Sequence, residues 1–358
     1  MKQTRPYRVV QWATGKLGAE SLRRIIDHPD LELAGLYVYS PGKVGQDAGA
    51  LCGRPETGIL ATNDIEAICA LDADAIFHMP TLEPTTENSD REVCTLLAAG
   101  KNVISIRGYW YPAWRGAEHA RRFEEAGASG NATLFGTGIS PGFVFDRVGP
   151  MLSGFCTNVK GLSFDEYFDN RMRPWRTVHD VLGLGHPMGH ITPQHPACVT
   201  LTNLYAEMYH FMAHQLDTTC TGVSLDVTMI PAEKDVVIKS GTIPAGTGKA
   251  TIWHWTATLA NGLMLHHRSH WHVGEFPDSW DTRNVWIVSV DGEPQFRAEM
   301  VLEHSGADGL TERGYDPNGR ALAATCINAL PEVVAAPPGI LIPPSFAYYR
   351  PRLGTEIA

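Results

Sequence analysis

The sequence predicts an α/β chain: an N-terminal doubly wound parallel sheet, followed by a second α+β domain built on a mixed sheet. Three observations carry this expectation. Arg8 to Leu22 reads RVVQWATGKLGAESL, an apolar run, a tight glycine turn and the opening of a helix. Strand-like and helix-like stretches then alternate as far as Ser105, and their apolar strands fit a parallel sheet covered on both faces. Near Asp146 the texture changes to aromatic, histidine-rich sequence with alternating strands. At 358 residues the chain exceeds what one core usually serves. Two domains are expected, 1–145 and 146–308, with a C-terminal helical segment, 309–342, returning to the first.

Taken in order, Val9, Val10 and Trp12 form the first strand, and Leu22, Ile25 and Ile26 give the following helix its apolar stripe. Between them Ala13, Thr14, Gly15, Lys16, Leu17 and Gly18 read A-x-G-x-x-G, with Ala13 in place of the first glycine. Such a turn sets a phosphate on the unpaired N–H groups of a helix start, and it is otherwise an ordinary structural turn. Leu31 to Val38 is the second strand. Enzymes that use NAD tend to carry an Asp or Glu just beyond it. Here the tip, Tyr39 to Lys43, has no acid. Ser40 and Lys43 suit a 2′-phosphate, so NADP is favoured over NAD.

Asp64 to Cys69 reads as helix, Ala75 to Met79 as a buried strand, Asn88 to Ala99 as helix and Lys101 to Ser105 as strand. Ligands sit beyond the C-terminal strand ends in such sheets. That selects Met79-Pro80-Thr81, Ile106 to Pro112, and Gly136 to Phe143. In the second half, strands are expected at 226–230, 250–257, 263–273 and 284–290. A turn at Asp291-Gly292 should lead into Gln295 to Glu303 as a hairpin. Gly319 to Leu330 reads as a final apolar helix.

Composition narrows the function. The chain is 44% hydrophobic and 19% charged, ordinary for a globular protein. A net charge of −10 disfavours nucleic acid as a partner. No apolar run approaches the ~20 residues that span a bilayer, so no membrane partner is expected. The N-terminus enters its first strand without a signal-peptide core. Seven cysteines lack any C-x-x-C pair, which fits reduced thiols and a cytoplasmic location.

Read together, several motifs resemble a known group. Gln11 to Gly18, Ser40 to Gly49, Gly100 to Ser105, Gly136 to Phe143, Gly292-Glu293-Pro294 and Ala335 to Gly339 are similar, in that order, to the dihydrodipicolinate-reductase-like oxidoreductases. Within them they resemble the branch of 2,4-diaminopentanoate dehydrogenase and the native amine dehydrogenases. The resemblance implies a Rossmann domain that binds a nicotinamide cofactor, and a second domain that covers the nicotinamide and contributes to a homodimer. It also implies that Gly138, Ser140 and Pro141 approach the cofactor, with Phe143 at the substrate. Amine-forming members carry a glutamate shortly after the Asn-Val-Ile-Ser strand. Here Ile106 to Pro112 has no carboxylate.

That departure points to ketone/alcohol chemistry on an apolar small-molecule substrate. Amine dehydrogenation, imine reduction and a non-redox, cofactor-retaining role are the alternatives. Tyr109 is the first candidate proton donor and Tyr111 the second, although both suit a packed wall equally well. Arg107 suits a carboxylate or phosphate, or a surface ion pair. Trp110 and Trp175 are candidate substrate contacts. His179, His186, His190 and His195 lie in or beside a glycine- and proline-rich stretch, and His179 is the candidate relay among them. His266, His270 and His272 share a strand face with Arg268, but neighbours on one face are ~6.5–7 Å apart. No metal is expected, and a polar subunit contact is the preferred role for that face. Trp253, Trp255, Trp271, Trp280 and Trp286 add aromatic bulk suited to a core or a large apolar substrate.

Overall fold

The computed structural model describes residues 5–82, 85–274, 284–302 and 317–350. The chain divides into two units, Met1–Phe143 with His304–Pro343, and Val144–Glu303 with Pro344–Ala358. The first unit runs through β1 (Tyr7–Trp12), α1 (Lys16–Asp27), β2 (Leu31–Tyr37), α2 (Ala48–Cys52) and α3 (Ile65–Cys69). It continues with β3 (Ala75–His78), α4 (Glu87–Ala98), β4 (Asn102–Ser105), α5 (Ala117–Gly130) and β5 (Thr133–Gly136).

In the second unit α6 (Gly149–Ser153) precedes β6 (Thr157–Asp169), and α7 (Pro196–Gln215) precedes β7 (Cys220–Pro231). Then come β8 (Val236–Ile238), β9 (Gly241–Ile243), β10 (Gly248–Leu259), β11 (Met264–His272), β12 (Val285–Glu293) and β13 (Phe296–Val301). Finally α8 (Pro317–Ala335) and β14 (Gly339–Ile340) return to the first unit. Residues 309–316 of the expected terminal segment, Glu303 and Trp280 lie outside the described residues.

The first sheet is parallel, in the order β14-β5-β4-β3-β1-β2. Successive residues of each strand face opposite sides, and the two cores follow that parity. Val10, Ile76, Val103 and Leu134 pack with Leu96, Leu97 and Phe123 from α4 and α5. Val9, Phe77, Ile104 and Phe135 pack with Ile25, Leu322, Cys326 and Leu330 from α1 and α8. Burial on both faces explains why these strands read as continuous apolar runs, each large side chain contributing about 1.5–3 kcal/mol. Met79 belongs to the second of these cores, not to the ligand edge where it was expected.

The second sheet has the order β13-β12-β6-β11-β10-β7. It is mixed, because β6 and β11 run parallel while their other pairings are antiparallel. Trp253 and Trp255 are wholly buried with Phe164 and Tyr209, so they build core. The β12–β13 ladder closes at Val290 opposite Phe296, so the expected Asp291-Gly292 lies within the connection, Asp291 to Gln295. Strand pairing continues to Glu293, opposite Thr157, and proline then removes the next ladder donor. A side chain at Gly292 would lie 2.9 Å from Cys156 Cβ, so this glycine serves close packing. Among the described residues no helix is long and apolar enough to cross a membrane.

Candidate active site

The glycine turn is built from backbone. Ala13 takes the left-handed conformation at φ +73°, a cost of about 1–2 kcal/mol for an L-residue. Gln11 Nε2 holds it by donating to the carbonyls of Trp12 at 3.2 Å and Ala13 at 3.0 Å. A Cβ at Gly18 would stand 2.2 Å from the Ala13 oxygen, whereas one at Gly15 would meet nothing within 4 Å. Gly18 therefore lets the helix close on the turn, and Gly15 faces open space. No side chain caps α1 and no acid occupies its first turn, so the helix start is free of competing negative charge. Lys43 closes the other side, its Nζ donating to Thr14 O and Oγ1, both at 3.0 Å. Thr14 to Gly18 and Lys43 thus fit a diphosphate in size, donors and charge. Ser40 opens the 3₁₀ turn that carries Lys43 and stays exposed.

Beyond β2 and β3 lies a cavity of about 490 Å³, lined by Tyr37, Tyr39, Pro80, Thr81, Asn88 and Glu92, among others. Its floor is aromatic. Trp12 stacks on Tyr37 with ring centres 3.6 Å apart, and Trp12 Nε1 donates to the Tyr39 hydroxyl at 2.8 Å. That hydroxyl donates to Glu92 at 2.7 Å. Burial pushes the Tyr39 phenol above its ordinary range, and the Glu92 hydrogen bond adds to the shift. Pro80 and Thr81 line this cavity just past the C-terminal end of β3.

The loop after β4 is built from side chains. Ser105 Oγ accepts the Arg107 N–H at 3.1 Å and lies 3.0 Å from His78 Nδ1. Gly108 (φ +108°) and Tyr109 (φ +67°) then turn the chain sharply. This turn sends the Tyr109 ring into the core against Phe123, centres 5.2 Å apart. Its hydroxyl donates to Asp90 at 2.9 Å. His119 Nε2 also meets Asp90, at 3.0 Å, while Nδ1 meets the Pro112 carbonyl at 3.1 Å. Acceptors face both nitrogens, which favours the protonated ring: the Asp90 hydrogen bond, against burial, raises its pKa. Burial alone would raise the Asp90 carboxyl, but the bonds from His119 and Tyr109 hold it below its ordinary value.

Tyr109 is only 4% exposed, so this network removes it as the first proton donor. Trp110 is also buried. Tyr111, half-buried, opens the 3₁₀ turn Pro112–Arg115. Arg107 is mostly buried; its Nε has no hydrogen-bond partner among the described residues, and burial lowers its pKa to about 10.

The loop from Gly136 to Phe143 keeps its glycines for the chain itself. Side chains at Gly136 and Gly138 would strike the backbone of Gly108–Trp110 and the Pro141 oxygen, at 2.5 Å and 2.1 Å. The close approach expected of a ligand is thus made by protein backbone. Ser140 is half-buried, Pro141 is buried and Phe143 is 48% exposed.

In the second unit, Trp175 packs on the cluster of Val178, Leu182 and Ile243 and stacks with His179 at 4.8 Å. The expected histidine loop is a ring stack: His179–His186 and His186–His190 are each 3.7 Å between centres, and His190–His195 is 5.7 Å. Burial lowers the His186 and His195 pKa values, with repulsion from neighbouring histidines adding to it. On β11 the face carrying His266 and Arg268 is polar, with Arg268 paired to Asp165 at 2.6 and 2.9 Å. Among the described residues no three His, Cys, Asp or Glu side chains are arranged to hold a metal ion.

A buried network on the opposite face escaped the sequence reading. His267 Nε2 lies 3.1 Å from Glu166, Nδ1 is 2.9 Å from the Tyr209 hydroxyl, and Ser269 donates to the same carboxylate. Its signal was strand parity, since 267 and 269 point away from 266, 268 and 270.

No protein-family model matches the chain. An amine dehydrogenase of Streptomyces virginiae is 25% identical over 354 residues, 92% of this chain and 93% of that protein. A 4-hydroxy-tetrahydrodipicolinate reductase of Anaeromyxobacter sp. (strain Fw109-5) is 33% identical over 100 residues, 28% of this chain and 34% of that one. The structure of an amine dehydrogenase from Mycobacterium smegmatis superposes with a TM-score of 0.72 at 17% identity, covering 98% of this chain and 99% of that one. That last likeness is one of fold.

Proposed function

For a chain that is an NAD(P)-dependent oxidoreductase of the dihydrodipicolinate-reductase-like group and a homologue of amine dehydrogenase, we propose hydride exchange between nicotinamide and a carbonyl or alcohol carbon. NADP is the proposed cofactor, and the substrate is a small molecule with an apolar body. The observation that carries the carbonyl reading is the loop after β4. Ile106 to Pro112 presents a guanidinium and a phenol but no carboxylate. The nearby Asp90 is buried and engaged by Tyr109, His119 and Thr86. Iminium chemistry needs a carboxylate to stabilise cation and accept a proton; carbonyl reduction needs a donor to the developing alkoxide.

When bound, the nicotinamide supplies hydride to the carbonyl carbon as the C=O pair moves to oxygen and takes a proton. The chain's part is to hold the diphosphate at Thr14 to Gly18, to set the adenine half beside Tyr39 and Thr81, and to deliver the proton. Tyr111 is the proposed donor and His179 the second candidate. The acid-free tip with Ser40 and Lys43 supports NADP. The polar face of β11 supports a homodimer contact.

Oxidation of NADPH, followed at its absorbance band over a panel of ketones, tests the reading. Turnover without ammonium is expected. Turnover that vanishes when ammonium is omitted would instead assign reductive amination, the reading favoured by the whole-length relative. Tight cofactor binding with no turnover under either condition would assign a cofactor-retaining role.

A further inference from the structure

Among the described residues Arg107 is a cation without a counter-charge. Its backbone is pinned on both sides, by Ser105 Oγ before it and by the Tyr109–Asp90 bond after it. Its Nε is buried with no partner, and among the described residues no carboxylate pairs with its guanidinium. The titratable neighbour that feels its charge is His78, a wholly buried ring held between Ser105 and Glu92. Glu92 is already shared by Tyr39 and His78. Other half-buried arginines are provided for: Arg268 has Asp165 and Arg24 has Glu20. Removing a guanidinium from water is costly unless an anion meets it, so the arrangement calls for an anion from outside the chain.

Position decides whose anion it is. In the parallel sheet only β3 separates β4 from β1, which puts the β4 edge about 10 Å from the glycine turn at ~4.8 Å per strand. A dinucleotide's negative charge is spent elsewhere, its diphosphate at the start of α1 and a 2′-phosphate past β2. Its nicotinamide end carries none. We propose that Arg107 binds a carboxylate of the substrate, which makes the substrate an oxo acid, or the corresponding hydroxy or amino acid, with an apolar body. The planar guanidinium fork matches a carboxylate with two parallel hydrogen bonds. This rests on the reading above that the sheet edge holds a nicotinamide cofactor.

The test compares two probes of one skeleton, 4-phenyl-2-oxobutanoate and the neutral 4-phenyl-2-butanone, binding to the NADPH-saturated chain. Quenching of bound NADPH fluorescence reports both. The acid is expected to bind about tenfold or more tightly than the ketone. Arg107→Met should erase that preference and Arg107→Lys keep part of it, with the dissociation constant for NADPH unchanged in both. Equal affinity for the two probes, no binding of the acid, or a preference that survives Arg107→Met overturns the assignment. Failure to bind NADPH at all overturns the cofactor reading instead, so the two failures are told apart.

Discussion

The glycine turn and the loop after β4 lie on the same edge of one sheet but are made of different material. Ala13 to Gly18 works through backbone: a left-handed residue, an open glycine and a helix start. Ser105 to Pro112 works through side chains, with Tyr109 and His119 anchored on Asp90 and Arg107 projecting from the pinned strand end. A backbone site tolerates almost any side chain except at its contact glycines, so it persists while chemistry changes around it. A side-chain site is rewritten by single substitutions.

Asp90→Ala breaks the side-chain region most severely. It strands the Tyr109 hydroxyl and the His119 ring, a loss of about 3–5 kcal/mol on the scale of a broken buried pair. Urea unfolding should register it; a loss below about 1 kcal/mol, the range of exposed pairs, would show that the network does not anchor the loop. Gly18→Ala comes next and strikes the backbone region. Its Cβ would sit 2.2 Å from the Ala13 oxygen, an overpacking cost of about 1–3 kcal/mol, and NADPH affinity in fluorescence titration should fall by a similar amount. An unchanged affinity would place the cofactor elsewhere.

Lys43→Ala is subtler. It should weaken NADPH about tenfold, the value of one charge-assisted contact, and NADH less. Equal weakening would leave Lys43 with the diphosphate alone.

The smallest effect is in pH. The raised His119 pKa gives stability that is complete below about 6.5, the free value, and fades as pH rises through the folded value. The lowered Asp90 pKa gives stability present above about 3.9 and lost as pH falls through its folded value. The stability gap between wild type and Asp90→Asn should therefore be widest between about pH 4 and 6.5. The His186 and His195 stack runs the other way, losing stability as pH falls below about 6.5. A flat gap across the range would separate the histidine from the anchor.

The comparison also explains what could be read in advance. Periodicity located β1 to β4, β7 and β10 to β13, with α1, α3, α4 and α8, because burial on two faces leaves an apolar run and burial on one face leaves alternation; it gave no expectation for β5, α5 or the central strand β6. The connection of the expected hairpin is longer than a two-residue turn because Asp291 and Glu293 stay paired to β6 and Gly292 packs close to Cys156. Tyr109 was misplaced because positive φ at Gly108 and at Tyr109 itself, just past the Ser105 end of β4, reverses where a side chain points, and nothing in local spacing announces it. His267, Glu166 and Tyr209 come from three separated segments, so no motif joins them.

By itself the sequence determined the doubly wound sheet, the glycine turn after β1, the acid-free tip at Tyr39 to Lys43 and the carboxylate-free loop from Ile106 to Pro112, since each is a matter of residue type over a short stretch. Only the tertiary structure decided which side chains remain available for chemistry. Tyr109 is consumed by Asp90 and the loop glycines by neighbouring backbone, whereas Arg107 is left without a carboxylate partner among the described residues. That outcome depends on hydrogen bonds closed between residues far apart in the chain, and local pattern carries no record of them.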